Sequence, residues 1–199
     1  MKIVIEGMDG VGKSTVALEV AQKLGAKYVD GLLLNFFKEN GLTAPEIDTV
    51  RKVMDLFADN DNSILRTWIY GFANLFNLMH YDTDVVIDRH CLTTFYYNGD
   101  EKSKMLYQIM QKLSGKPDII ILLRASEKTR RARIIGRKYN DSDLLSAQKM
   151  AYGYDKMELT AKFLNLPCQI VDTDEKKLTQ VVDDVMNIIQ RFKEENQIK

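Results

Sequence analysis

The sequence predicts a three-layer α/β fold, a five-stranded parallel sheet with helices on both faces. Three observations predict it. Short runs rich in Ile and Val alternate with longer stretches of helical periodicity. Each run is four to six residues long, the length of a strand buried on both faces. Polar residues collect just after the runs, at the carboxyl edge of such a sheet, where α/β folds gather ligands.

Taken in order, residues 2–6 (KIVIE), 84–88 (DVVID), 118–123 (DIIILL) and 168–172 (CQIVD) are the strand runs, and 27–30 is a further short strand. Helical periodicity covers 14–24, the region 46–79, and then 102–113, 127–137, 143–164 and 176–195. Parallel neighbours need crossovers of this length, which places helices on both faces. The carboxyl ends of the strands then carry 7–14, 88–90, Arg124 and 172–174.

A chain of 199 residues suits one α/β domain spanning 1–199. Lys plus Arg total 28 and Asp plus Glu total 28, which removes the cationic excess that a nucleic-acid coat or polybasic membrane binder uses. Two cysteines, Cys91 and Cys168, and two histidines, His80 and His90, stand at no metal-ligand spacing. The opening MKIVIEGMDG has an apolar run too short for a signal peptide, and no segment reaches the ~20 apolar residues of a membrane span. The expectation is a cytoplasmic protein with thiols kept reduced.

The sharpest motif is Gly7-Met8-Asp9-Gly10-Val11-Gly12-Lys13-Ser14-Thr15, which satisfies G-x-x-x-x-G-K-[ST] between a strand run and a helix run. Glycines let the backbone curl until several N–H groups face one anion, and the helix N-terminus adds a favourable dipole. This predicts a P-loop NTPase fold that binds ATP. Lys13 would reach the β- and γ-phosphates and the Ser14 hydroxyl would hold Mg²⁺. Asp88, at the end of its strand, would orient metal-bound water; a strand-end aspartate capping the next turn is its plainer reading. Arg89 is placed to grip a second anion.

The form EGMDGVGKST, with VVIDRH at 85–90, PDIIILL at 117–123 and an Arg-rich helix after it, resembles the thymidylate kinase and deoxynucleoside kinase branch of P-loop kinases. The resemblance implies a nucleoside monophosphate kinase acting on small-molecule nucleotides, with ATP as co-substrate, Mg²⁺ and a homodimer. It implies that Asp9 bonds the acceptor's sugar hydroxyl and Arg89 its phosphate. Residues 127–143 are similar to the mobile lid of these kinases, in which Arg133 and Arg137, at i and i+4, would neutralise the transferring phosphoryl group. Val11 supplies no arginine from the loop itself. The segment after the last strand, with Asp174, would line the adenine pocket.

The chain departs from thymidylate kinases at the acceptor. Residues 28–40 lack an E-P-G-G-like loop, and the L-F-x-A-x-R segment is represented by Ile69-Tyr70-Gly71-Phe72-Ala73-Asn74. Tyr70 keeps the aromatic, while Asn74 stands where the arginine would read the base and can both donate and accept. Of Trp68, Tyr70, Phe72 and Phe76, at least two are expected to be plain helix core. Deoxynucleoside kinases carry Glu-Arg-Ser where this chain has Asp88-Arg89-His90, which favours a monophosphate acceptor. A deoxynucleoside kinase on the same fold and a non-catalytic nucleotide-binding regulator are the competing readings. A switch GTPase would need an N-K-x-D reader that is missing, and LSGKP at 113–117 only grazes an ABC signature.

Overall fold

The computed structural model describes residues 1–58, 60–137 and 153–197. The elements run β1 (Lys2–Gly7), α1 (Lys13–Leu24), β2 (Lys27–Asp30), α2 (Leu33–Glu39), α3 (Ala44–Ala58), α4 (Ser63–Met79), β3 (Val85–Asp88), α5 (Cys91–Asn98), a 3-10 turn (Glu101–Ser103), α6 (Lys104–Ser114), β4 (Ile119–Arg124), α7 (Glu127–Arg137), α8 (Gly153–Phe163), β5 (Cys168–Asp172) and α9 (Leu178–Gln197).

All five strands are parallel, in the order β2-β3-β1-β4-β5. β1 is central because its alternate residues serve two cores. Val4 packs with Val85, Ile87, Ile120 and Leu122 under α5 and α8. Ile3 and Ile5 pack with Val86, Ile121 and Leu123 beneath α1 and α9, through Val16, Val20, Val182 and Val185. Three layers result, as the alternation predicts. β5 differs from the expected doubly buried strand: it lies at the sheet edge, and Ile170 remains exposed.

Two connections explain themselves locally. Gly25 ends α1 in the left-handed conformation (φ 63°), and Ala26 N–H returns to the Ala21 carbonyl at 2.9 Å, closing a Schellman turn. The stretch expected as one helical region over 46–79 is divided, because the Asn62 side chain accepts from the Ile64 and Leu65 amides and starts α4 afresh. α2 and α5 are helices that periodicity did not predict. Of the stretch expected as helix at 143–164, residues 143–152 lie outside the described residues, and α8 supplies the remainder.

Register brings the functional edge together. Ile5 pairs with Asp88, Gly7 with Leu123, and Arg124 with Asp172. The loops after β1, β3, β4 and β5 therefore open on the same edge.

Candidate active site

Between β1 and α1 the chain turns through Gly7, Gly10 and Gly12, all at positive φ. A Cβ at Gly10 would lie 2.7 Å from the Arg130 carbonyl, and one at Gly7 2.5 Å from the Leu123 carbonyl. Glycine is thus required here by close approach as well as by φ. The turn floors a cavity of about 390 Å³ that Asp9, Lys13, Ser14, Arg89, Arg133 and Thr173 help to line.

Lys13 is only 4% exposed. Its Nζ donates to the Met8 carbonyl at 2.9 Å and stands 3.7 Å from Asp9 Oδ1. Burial and the Arg89 charge push its pKa down to about 8, against the pull of Asp9, Asp88 and Glu6. Asp9 is the hinge of this charge cluster. Arg89 donates to its Oδ1, and the Tyr97 hydroxyl donates to Oδ2 at 2.6 Å. Burial would raise the Asp9 carboxyl, but Arg89, Lys13 and Tyr97 together hold it well below the usual carboxylate range.

Arg89 follows β3 in a left-handed conformation (φ 79°), uncommon for a non-glycine residue. Its amide donates to the Ile5 carbonyl at 3.0 Å. A Cβ at Gly31 would fall 1.9 Å from the Arg89 carbonyl, so β2 also presses on this turn. The strongest restraint comes from Glu6 in β1. Its carboxylate is fully buried and accepts from the amides of His90 (2.9 Å), Leu92 (2.8 Å) and Thr93 (3.2 Å), and from the Thr93 hydroxyl. Burial raises the Glu6 pKa, and the bonds from Thr93, Leu92 and His90 oppose it. A carboxylate at the N-terminus of α5 is thus the peg on which the turn hangs.

Asp88 is buried at the end of β3. Oδ2 accepts from the Tyr28 hydroxyl at 3.3 Å, whereas buried Oδ1 has no hydrogen-bond partner among the described residues. Burial, with Asp88 and Asp30, pushes the Tyr28 phenol up to about 12, so it keeps its proton. Ser14 and Thr15 are exposed at the start of α1. An unsatisfied carboxylate oxygen and an exposed serine hydroxyl are donor types suited to Mg²⁺, which keeps several waters and takes few protein ligands. Among the described residues no group of three or more His, Cys, Asp or Glu could hold a metal ion.

The opposite end of the cavity belongs to β5. Arg133 Nη1 donates to the Val11 carbonyl and the Thr173 hydroxyl, both at 2.9 Å, and Nη2 donates to the Thr173 carbonyl at 2.8 Å. Since β3 and β5 lie on opposite sides of β1, Arg133 and Arg89 mark opposite ends of the cavity. Arg133 thereby reaches the glycine-rich turn from the β5 side. The Arg137 side chain and residues 138–143 of the expected lid lie outside the described residues. Asp174 accepts from the Ser126 amide at 2.9 Å, Ser126 in turn accepts from the Thr129 amide in α7, and Asp174 is absent from the cavity lining.

The acceptor residues are brought together only in part. Asn74 is buried, its Oδ1 accepting from the Thr94 hydroxyl at 3.3 Å, and its carbonyl meets His90 Nε2 at 3.3 Å. The Tyr70 hydroxyl donates to the Met54 carbonyl in α3 at 2.9 Å. Neither lines the cavity with Asp9 and Arg89. Trp68 and Phe72 are exposed rather than core. Sequence reasoning missed four groups: Glu6, Tyr28, Tyr97 and Arg130. Arg130 is buried, with Nη1 3.5 Å from the Asp9 carbonyl and its guanidinium 5.7 Å from the Tyr154 ring centre. A glutamate inside the apolar run KIVIE was the available signal for the first, since a buried charge must find partners.

A β2-β3-β1-β4-β5 parallel sheet, with a glycine-rich turn delivering a buried lysine beside an Asp–Arg pair, defines a P-loop nucleotide kinase. The thymidylate kinase family model matches residues 5–185. A probable thymidylate kinase of Archaeoglobus fulgidus is 24% identical over 207 residues, covering 96% of each chain. A putative adenylate kinase of Pyrococcus furiosus is 29% identical over 95% of this chain and 84% of its own. Among solved structures, the deoxyadenosine kinase of M. mycoides superposes with a TM-score of 0.63 at 21% identity, over 100% of both chains. The chain belongs to the thymidylate kinase family, and it is an ATP-dependent nucleotide kinase.

Proposed function

We propose that the protein transfers the γ-phosphoryl group of ATP to a nucleoside or deoxynucleoside monophosphate. The observation that carries this reading is the Arg89–Asp9 pair at the β3 end of the cavity, next to Lys13. It offers a cation for an acceptor phosphate and a carboxylate for a sugar hydroxyl, side by side.

In this reading the triphosphate lies over residues 7–15, and Lys13 exchanges the Met8 carbonyl for β- and γ-phosphate oxygens. A desolvated ammonium gains more from a phosphate than an exposed one does. Ser14 and Asp88 would hold Mg²⁺, which would neutralise charge on the phosphates. Arg89 turns from Asp9 toward the incoming phosphate and sets its oxygen in line. Because the transition state is loose, alignment and charge neutralisation supply most of the acceleration, and no strong base is needed. Arg133 with Thr173 serves the nucleoside end of ATP. α7 carries Arg130, Arg131, Arg133 and Arg137; Arg131 pairs with Glu127, and Arg137 is assigned to the transferring group. Asn74 reaches the acceptor through Thr94 and His90, and Tyr70 offers its ring rather than its hydroxyl.

We also infer a homodimer. Leu65, Trp68, Phe72 and Met79 recur at three-, four- and seven-residue spacing on α4 and are exposed, a continuous apolar stripe suited to a second copy. A cytoplasmic location accords with the nucleotide pool such an enzyme needs. No helix among the described residues is long and apolar enough to cross a membrane.

The second reading is a deoxynucleoside kinase, and the full-length superposition on a deoxyadenosine kinase favours it. One assay separates the two. ATP·Mg²⁺ is offered with each common nucleoside and monophosphate in parallel, and products are resolved by chromatography. Diphosphate from a monophosphate is expected; product from nucleosides alone would transfer the function to the second reading.

A further inference from the structure

The two groups assigned above to Mg²⁺, Ser14 and Asp88, come from different elements, and something must set one against the other. Tyr28 of β2 lies between them. β2 pairs with β3 so that Tyr28 stands beside Val86 and Asp30 beside Asp88. Side chains alternate along a strand, so Tyr28, Val86 and Asp88 share the face covered by α1. The Tyr28 ring packs against that core, half-buried, and its hydroxyl donates to Asp88 Oδ2 at 3.3 Å. The Ser14 hydroxyl is close enough to act on the same phenol oxygen.

We propose that Tyr28 is a positioning residue for the metal end of the site. Its hydroxyl restrains one oxygen of Asp88, which leaves Oδ1, with no partner among the described residues, for the metal's water shell, and the same hydroxyl ties Asp88 to Ser14. A carboxylate at a strand end otherwise rotates about its terminal torsion, which is broad and roughly two-fold. A phenol on the neighbouring strand removes that freedom in advance, and positioning of this kind strengthens binding by lowering the ordering cost. The plain alternative is a tyrosine that fills the edge of the core, its hydroxyl satisfied by chance. Phenylalanine separates the two, because it keeps the ring and deletes only the bond.

This inference rests on the assignment of Ser14 and Asp88 to the metal, so the test carries a control for that assignment. Mn²⁺ is titrated into wild type, Tyr28→Phe and Asp88→Asn in the presence of a non-hydrolysable ATP analogue, and free Mn²⁺ is followed by electron paramagnetic resonance. The affinity for the analogue in EDTA is measured alongside. Tyr28→Phe should weaken Mn²⁺ binding by about tenfold, as befits one hydrogen bond to a charged acceptor, with the metal-free affinity unchanged. If Tyr28→Phe stays within about twofold of wild type while Asp88→Asn loses Mn²⁺, the role of Tyr28 is overturned and the metal assignment stands. If both variants bind Mn²⁺ as wild type does, the metal assignment fails and takes the inference with it. An equal fall in metal-free affinity for Tyr28→Phe would make the residue merely structural and also overturn the inference.

Discussion

The Arg89 guanidinium and the Asp9 carboxylate meet across the carboxyl edge of the sheet, one delivered by the end of β3 and the other by the glycine-rich turn after β1. Tyr97 donates to the second Asp9 oxygen at 2.6 Å, so the aspartate keeps a partner if the arginine turns away and still has lone pairs to accept a further donor. The pair is thus able to yield its cation without leaving Asp9 bare.

Arg89→Ala is therefore expected to raise the KM for the acceptor by roughly 30-fold or more, the worth of a charge-assisted contact, and to change the KM for ATP far less. Initial-rate kinetics with each substrate varied in turn provide the check. Equal effects on both constants would remove Arg89 from the acceptor.

Lys13 supplies a pH prediction. Its folded pKa is about 8, lower than an ordinary lysine, so the ammonium is lost as pH rises through that value. kcat/KM for ATP, which reports the free enzyme, should fall on the alkaline side near pH 8. Bound phosphates favour the ammonium, so the corresponding limb in kcat should lie higher. Lys13→Ala should abolish transfer and leave the circular dichroism unchanged. A flat kcat/KM profile to pH 10, or turnover in the variant, would refute the assignment.

Glu6→Ala should cost roughly 3 kcal/mol or more in urea unfolding, since it strands the buried amides of His90, Leu92 and Thr93. Glu6→Gln keeps an oxygen for His90 and Leu92 and should cost less. In both variants the acceptor KM should rise ahead of the ATP KM, because the Arg89 turn loses its peg. Stability equal to wild type in Glu6→Ala would mean the peg is dispensable.

Trp68→Glu, placed in the exposed stripe of α4, should convert the expected dimer to a monomer in light scattering while the thermal midpoint of the chain's fold survives. A wild-type protein that is already monomeric at micromolar concentration would dismiss the dimer.

Much of this architecture was legible in the residues. The β2 and β5 boundaries and the glycine-rich turn follow from runs whose local preferences agree with their tertiary setting. α5 was not legible. CLTTFYYN is rich in β-branched and aromatic residues that disfavour helix, and its start is dictated by Glu6, 84 to 87 positions earlier. Pattern reading also cannot see which lateral contact a side chain makes, so Tyr28, Tyr97 and Arg130 escaped it. Arg133 shows the same blindness in reverse. Its charge was read, but its bonds to Thr173, forty positions away, were not.

The central position of β1 has an evolutionary reach. In the proposed reading the turn after β1 holds the donor phosphates, whereas Asn74 of α4 lies on the β3 flank, toward the acceptor. Substitutions in α4 remove none of the bonds that Lys13 and Asp9 make in that turn. On that reading a lineage could change its acceptor through α4 without relearning how to hold its fuel.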